Sequence, residues 1–283
     1  MQRAILLWQC PDRPGIIARL SALLYEHSGN ILSSDQYTTD ASNGRFFIRI
    51  EFVFSEDRYT RKHLENELST AATDLGAEWG LHYDGTVPRM AIAVSRLDHC
   101  LVDLLYRVRS GELRVDVPLV VSNHETVRDI VEAQGIPFHF LPVTRETRAK
   151  QEAALLRLLS DSCDFLALAR YMQILSADFL NLFARDVINI HHSFLPSFKG
   201  ADPYRQAYDR GVKIIGATAH FATTDLDEGP IIDQVVGHVS HKHSVDALRE
   251  IGRDLEKSAL ASAIRMYVEH RVIRYRNKTI ILG

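Results

Sequence analysis

The chain has 283 residues, of which 46% are hydrophobic and 24% charged, with a formal charge of −3. Against a usual domain size of about 100–200 residues this favours two globular domains and excludes a disordered or fibrous chain. The scattered Lys and Arg form no basic stripe for a phosphate backbone, so nucleic acid is not an expected partner.

Ala4 to Gln9 is a short apolar run that stops at Pro11-Asp12-Arg13-Pro14-Gly15, which reads as a strand and then a helix start. Ile16, Ile17, Leu20, Leu23 and Leu24 recur at helical spacing, and Gly29-Asn30 supplies a left-handed stop. Strands are expected over Ile31 to Thr38 and Arg45 to Phe54, a helix on Leu64, Leu68, Ala71, Ala72 and Leu75, and a strand over Ala77 to Tyr83. The order is βαββαβ. With Asp12-Arg13-Pro14-Gly15-Ile16 and Gly29-Asn30-Ile31 it resembles the ACT domain, a ferredoxin-like sensing module. That resemblance implies a homo-oligomer formed through this domain and an amino-acid effector bound to it.

Asp84-Gly85-Thr86-Val87-Pro88 is the linker, giving domains of residues 1–84 and 85–283. Beyond it, apolar runs at Met90–Val94, Val117–Val121, Ile136–Leu141, Phe165–Ala169 and Val187–Ile190 alternate with helical patterns after Leu97, at Thr126–Gln134 and at Arg145–Leu159. Such alternation predicts an α/β fold on a doubly wound, mostly parallel sheet, with any ligand beyond the carboxyl ends of the strands. A long amphipathic helix carries Val245, Leu248, Ile251, Leu255 and Ala259 toward His270, and a hairpin of Val272–Tyr275 and Thr279–Leu282 closes the chain. Cys10, Cys100 and Cys163 suggest no disulfide framework. No signal-peptide pattern and no apolar run of about 18 residues is present, so the expected location is the cytoplasm, without a membrane partner.

In Asn189-Ile190-His191 an amide and an imidazole occupy alternate positions, hence one face of a strand end, whereas His192 is expected on the opposite face in support of the loop. Gly216-Ala217-Thr218-Ala219-His220 ends a further strand, and Asp227 follows in a Gly-Pro loop. Amide and imidazole suit a developing oxyanion, and a carboxylate beside an imidazole suits proton transfer; the four residues point to acyl transfer or hydrolysis. Lys199-Gly200-Ala201 and Tyr204 are candidates to close over a substrate. His238, His241 and His243 lack metal-ligand companions, and no metal is expected.

The runs Asn189-Ile190-His191-His192-Ser193-Phe194-Leu195-Pro196, Gly216-Ala217-Thr218-Ala219-His220 and Leu226-Asp227-Glu228-Gly229-Pro230-Ile231-Ile232 resemble the formyltransferase family that uses 10-formyltetrahydrofolate. The resemblance implies that Asn189 and His191 stabilise the oxyanion and that His220 and Asp227 form a hydrogen-bonded acid-base pair. It also implies that the segment Ala169-Arg170-Tyr171-Met172-Gln173-Ile174-Leu175-Ser176 reads the pterin, with Met172, Gln173, Ile174, Leu175 and also Arg96 as substrate contacts. Ser95-Arg96-Leu97-Asp98-His99 replaces the glycine-rich phosphate cradle of the ribonucleotide transferases. Joined to an ACT module, the pattern resembles the formyltetrahydrofolate deformylases over essentially the whole chain. The implied reaction is hydrolysis of 10-formyltetrahydrofolate, as substrate and without a cofactor, supplying formate for purine synthesis and balancing one-carbon folate pools. A formyltransferase to an amine such as glycinamide ribonucleotide, or a folate-sensing protein without turnover, are the alternatives.

Overall fold

The computed structural model describes residues 1–40, 42–55, 60–196 and 202–283. They divide into two compact units: Met1–Thr86 with Glu269–Tyr275 and Ile280–Gly283, and Val87–Val268 with Arg276–Thr279.

The first unit runs β1 (Gln2–Pro11), α1 (Ile16–Glu26), β2 (Asn30–Thr38), β3 (Arg45–Phe54), α2 (Arg61–Leu75) and β4 (Glu78–Tyr83). Its sheet has the order β2-β3-β1-β4, antiparallel throughout. Ala4, Leu6, Trp8 and Cys10 alternate inward along β1 and meet Ile16, Leu20 and Leu24 of α1 and Leu64 and Leu68 of α2. Strand β3 is buried on both faces, because Phe47, on the side away from the helices, packs on Ile273 and Leu282 of the terminal hairpin. Against the expected second domain of 85–283, Glu269–Tyr275 and Ile280–Gly283 group with the first unit, whereas the hairpin turn, Arg276–Thr279, groups with the second. Ile273 and Leu282 find their partners in the first unit.

The second unit runs β5 (Met90–Val94), α3 (His99–Arg109), β6 (Val120–Ser122), α4 (Arg128–Glu132), β7 (Phe138–Phe140), α5 (Arg148–Leu159), β8 (Phe165–Leu168), α6 (Ala177–Phe183), β9 (Asp186–His191), α7 (Pro203–Asp209), β10 (Ile214–Phe221), β11 (Ile231–His238) and α8 (Val245–Val268). The terminal strands are β12 (Val272–Tyr275) and β13 (Lys278–Ile281). The sheet order is β11-β10-β9-β8-β5-β6-β7, parallel from β9 to β7 and antiparallel at β10 and β11. Strands β6 and β7 start later than the apolar runs at 117 and 136 suggest, since Pro118 and Pro137 have no N–H to give a ladder. Helix α6 was not expected; Ser176 starts it by accepting the Phe179 N–H. No helix among the described residues is long and apolar enough to cross a membrane.

Candidate active site

The carboxyl ends of β8, β9 and β10 open on a cleft of about 360 Å³. That is large enough for a compact heterocyclic ligand. Strand pairing, and not only sequence spacing, assembles its polar floor: β9 and β10 run antiparallel with His220 directly across from Asn189. The Asn189 amide donates to His220 Nε2 at 3.1 Å, and His220 Nδ1 donates to the Phe221 carbonyl at 3.0 Å. A carbonyl can only accept, so the proton sits on Nδ1 and Nε2 offers its lone pair to the amide. Burial pushes the His220 pKa below the ordinary imidazole value, outweighing its Phe221 bond and the Asp227 charge, which keeps the ring neutral near pH 7.

Asp227 reaches the floor from the loop after β10. Its φ of 56° lies in the left-handed region, which Asp adopts more readily than most residues. Gly229 lets this loop hug β10, because a Cβ there would sit 1.8 Å from the Phe221 carbonyl oxygen. Asp227 Oδ2 accepts from His191 Nδ1 at 3.2 Å, whereas Asp227 Oδ1 stands 3.7 Å from His220 Nε2, beyond hydrogen bonding. The expected bonded pair of His220 and Asp227 is therefore re-partnered: cross-strand register gives His220 to Asn189, and the loop gives Asp227 to His191. Burial raises the Asp227 pKa, but the bond from His191 and the neighbouring imidazoles more than offset this and hold it below the usual carboxylate range.

Met172, Gln173, Ile174 and Leu175 all line the cleft, facing Leu180, Ala222 and Leu226. Met172 and Ile174 are each 57% exposed, unusual for apolar side chains in a strand-end loop and suited to a flat ring. The loop is pinned from behind. Ser95 Oγ accepts the Met172 N–H at 2.9 Å and donates to Asn123 at 2.7 Å. Gln151 donates to the Tyr171 hydroxyl, Arg148 to the Ile174 carbonyl, and Ser176 to Glu152.

Other expectations fare differently. Arg96 is exposed after β5 and is not among the residues lining the cleft, since it is Ser95 that turns inward to brace the loop. His192 lines the cleft instead of facing away from it: β9 ends at His191, so alternation stops, and the two rings stack with centroids 5.1 Å apart. Tyr204 is buried behind the cleft, donating to Glu256, and does not close over it. Lys199, Gly200 and Ala201 lie outside the described residues. His243 Nδ1 accepts from the Ser240 N–H, and among the described residues neither group of side chains spaced to hold a metal ion includes His238, His241 or His243. Sequence reasoning named Arg170 only as part of the pterin loop and passed over Glu256; a carboxylate on the apolar stripe of α8 was the available signal.

The formyl transferase family model matches residues 88–264, and the ACT domain model matches residues 4–61. A formyltetrahydrofolate deformylase of Synechocystis sp. is 49% identical over 281 residues, 99% of this chain and 98% of that protein. One of Bacillus subtilis is 47% identical over 279 residues, 98% and 93% of the two chains. The crystal structure of a formyltetrahydrofolate deformylase from Pseudomonas syringae pv. tomato superimposes with a TM-score of 0.95 at 40% identity, covering 100% of this chain and 95% of that one. Glycinamide ribonucleotide transformylase 1 of Symbiobacterium toebii gives a TM-score of 0.66 at 30% identity, covering 72% of this chain and 98% of that one. With its cleft and paired polar floor in place, both family models matched, and relatives 47% and 49% identical along nearly its full length, the chain belongs to the formyltetrahydrofolate deformylase family.

Proposed function

We propose that the protein hydrolyses 10-formyltetrahydrofolate to formate and tetrahydrofolate at the cleft between β8, β9 and β10. The observation that carries this reading is the 3.2 Å bond between Asp227 and His191, beside a neutral His220 that is held by Asn189. The pterin lies against Met172, Ile174 and Leu175 and bonds to the backbone of that loop. The formyl carbon then sits over the polar floor, where the Asn189 amide, and the Nε2–H of a His191 ring protonated at both nitrogens, donate to the oxygen that becomes negative. Water adds to the carbon as its proton passes to the Asp227 carboxylate. The C–N bond breaks as that proton moves on to the departing amine nitrogen, and formic acid leaves, giving up the second water proton to solvent as formate. Acid-base help of this kind contributes roughly 10²–10⁴-fold. The groups that hold and move the proton all belong to this chain, so the folate serves as substrate and no cofactor is required by this route.

The reading extends to context. Cys10, Cys100 and Cys163 are free and buried, which fits a reducing cytoplasm. The formate feeds purine synthesis and the reaction rebalances folate pools. The first unit joins copies of the chain into a homo-oligomer and takes an amino-acid effector. Support for the oligomer comes from β2, an edge strand exposed along all nine residues, Leu32 and Tyr37 among them. Incubation of the purified protein with 10-formyltetrahydrofolate and no amine tests the central claim: formate should appear in stoichiometric amount. Consumption that depends on an added amine would replace hydrolysis with transfer.

A further inference from the structure

A buried ionic cluster backs one wall of the cleft, and the hydrolytic steps make no use of it. Glu256, 2% exposed, interrupts the buried face of α8 between Gly252 and Ala259. A carboxylate so placed is tolerated only with partners. It has three: Tyr204 Oη donates to Oε1 at 2.7 Å, His99 Nε2 lies 2.8 Å from Oε2, and Arg170 Nε lies 3.3 Å from Oε2. Burial raises its pKa, but the bond from His99 and the Arg170 charge hold it below the ordinary range, so it remains ionised. Gly252 makes the arrangement possible, because a Cβ there would lie 2.0 Å from the Tyr204 hydroxyl oxygen.

Arg170 is the member of the cluster that faces the cleft. It follows β8 with a φ of 64°, and its carbonyl accepts the Ser95 N–H at 3.2 Å. Its side chain is 9% exposed, its Nε contact with Glu256 is ionic, and among the described residues Nε and Nη1 have no hydrogen-bond partner. The position matters because the chain winds outward from β5 through β6 and β7 on one side and through β8 and β9 on the other. The crevice between the carboxyl ends of β5 and β8 is thus the topological switch point, the usual place for a ligand in such a sheet. Here Ser95 and Arg170 are bonded across it, and Glu256, His99 and Tyr204 fill the space behind.

We propose that Arg170, anchored by Glu256, occupies the acceptor side of the cleft and restricts the nucleophile to water. This rests on the hydrolytic reading above. A second substrate must place its amine beside the formyl carbon, and the guanidinium takes up volume in the wall that it shares with His192. Its fixed charge also repels an ammonium group, an obstacle that neutral water does not meet. Specificity for the smallest nucleophile then follows from exclusion, without a binding site for it.

The test is the partition of the formyl group in the full-length protein given 10-formyltetrahydrofolate and hydroxylamine, a small neutral amine nucleophile. Wild type should give formate with a background level of formohydroxamate. Arg170→Ala should raise the ratio of hydroxamate to formate at least about tenfold, the scale at which pocket contacts separate substrates. Arg170→Met, which restores bulk without charge, should return the ratio most of the way to wild type. If Arg170→Ala unfolds the chain, Glu256→Gln carries the same test, since it frees the guanidinium while keeping a partner for Tyr204. An unchanged ratio in a folded variant that still releases formate overturns the proposal. So does a folded Arg170→Ala that yields neither product. Failure of wild type to release formate without amine would instead sink the hydrolytic reading, so the two failures are told apart.

Discussion

His191 and Asp227 share a 3.2 Å hydrogen bond across the mouth of β9, although they stand 36 positions apart in the sequence. The bond ties the imidazole to a charged group at the point where the formyl carbon is proposed to sit. Asp227→Asn keeps shape and removes that charge. Asn also accepts the left-handed φ of this position, so the loop should survive. Turnover is expected to fall by at least about 10²-fold with KM nearly unchanged, the scale of lost acid-base catalysis. Steady-state kinetics beside a folate-binding titration measure both; a wild-type kcat would make the carboxylate structural.

Burial, followed by the charges of Arg170 and His191, pushes the His192 pKa down to about 4. An unfolded imidazole titrates near about 6.5, so between these values the unfolded state binds the extra proton. Stability from the neutral ring is fully present above the unfolded pKa and drains away as pH falls toward the folded one. His220 acts in the same direction. Denaturant midpoints should therefore decline between pH 6.5 and 4, and His192→Gln should flatten that slope. Parallel curves for the two proteins would contradict this.

Gly252→Ala sets two effects against each other. Alanine gains about 1 kcal/mol of helix propensity over glycine. The added methyl, however, drives Tyr204 from a packed site, an overpacking cost of about 1–3 kcal/mol, and takes a hydrogen bond to a charged group worth about 1.5–3 kcal/mol. The sum favours destabilisation. Urea unfolding should show a lower midpoint, and a stabilised variant would mean that Tyr204 relaxes without loss.

Leu32 and Tyr37 stand about half exposed, at 50% and 47%, on the edge strand β2. If a second copy covers that edge, Leu32→Asp and Tyr37→Asp each bury a charge without a partner and should shrink the particle seen by light scattering. An unchanged mass would move the interface elsewhere.

Much of this protein was legible from local pattern. The apolar run from Ala4 to Gln9 and the helical spacing of Leu64, Leu68 and Ala71 depend on neighbours within a few residues, and a strand and a helix lie where those patterns put them. The same holds for the strand ends that carry Asn189 and His220 into one cleft. Partner choice was not local. Whether Asp227 bonds to His220 or to His191 depends on the β9–β10 register and on a left-handed loop that Gly229 admits beside β10. The terminal hairpin was readable as a hairpin, but only three-dimensional packing on Phe47 grouped Glu269–Tyr275 and Ile280–Gly283 with the first unit. Arg170, His99, Tyr204 and Glu256 are spread over more than 150 residues, and no spacing rule joins them. They meet because a carboxylate buried on α8 is stable only where a hydroxyl, an imidazole and a guanidinium charge converge, and that condition is set by the folded chain and not by any segment of it.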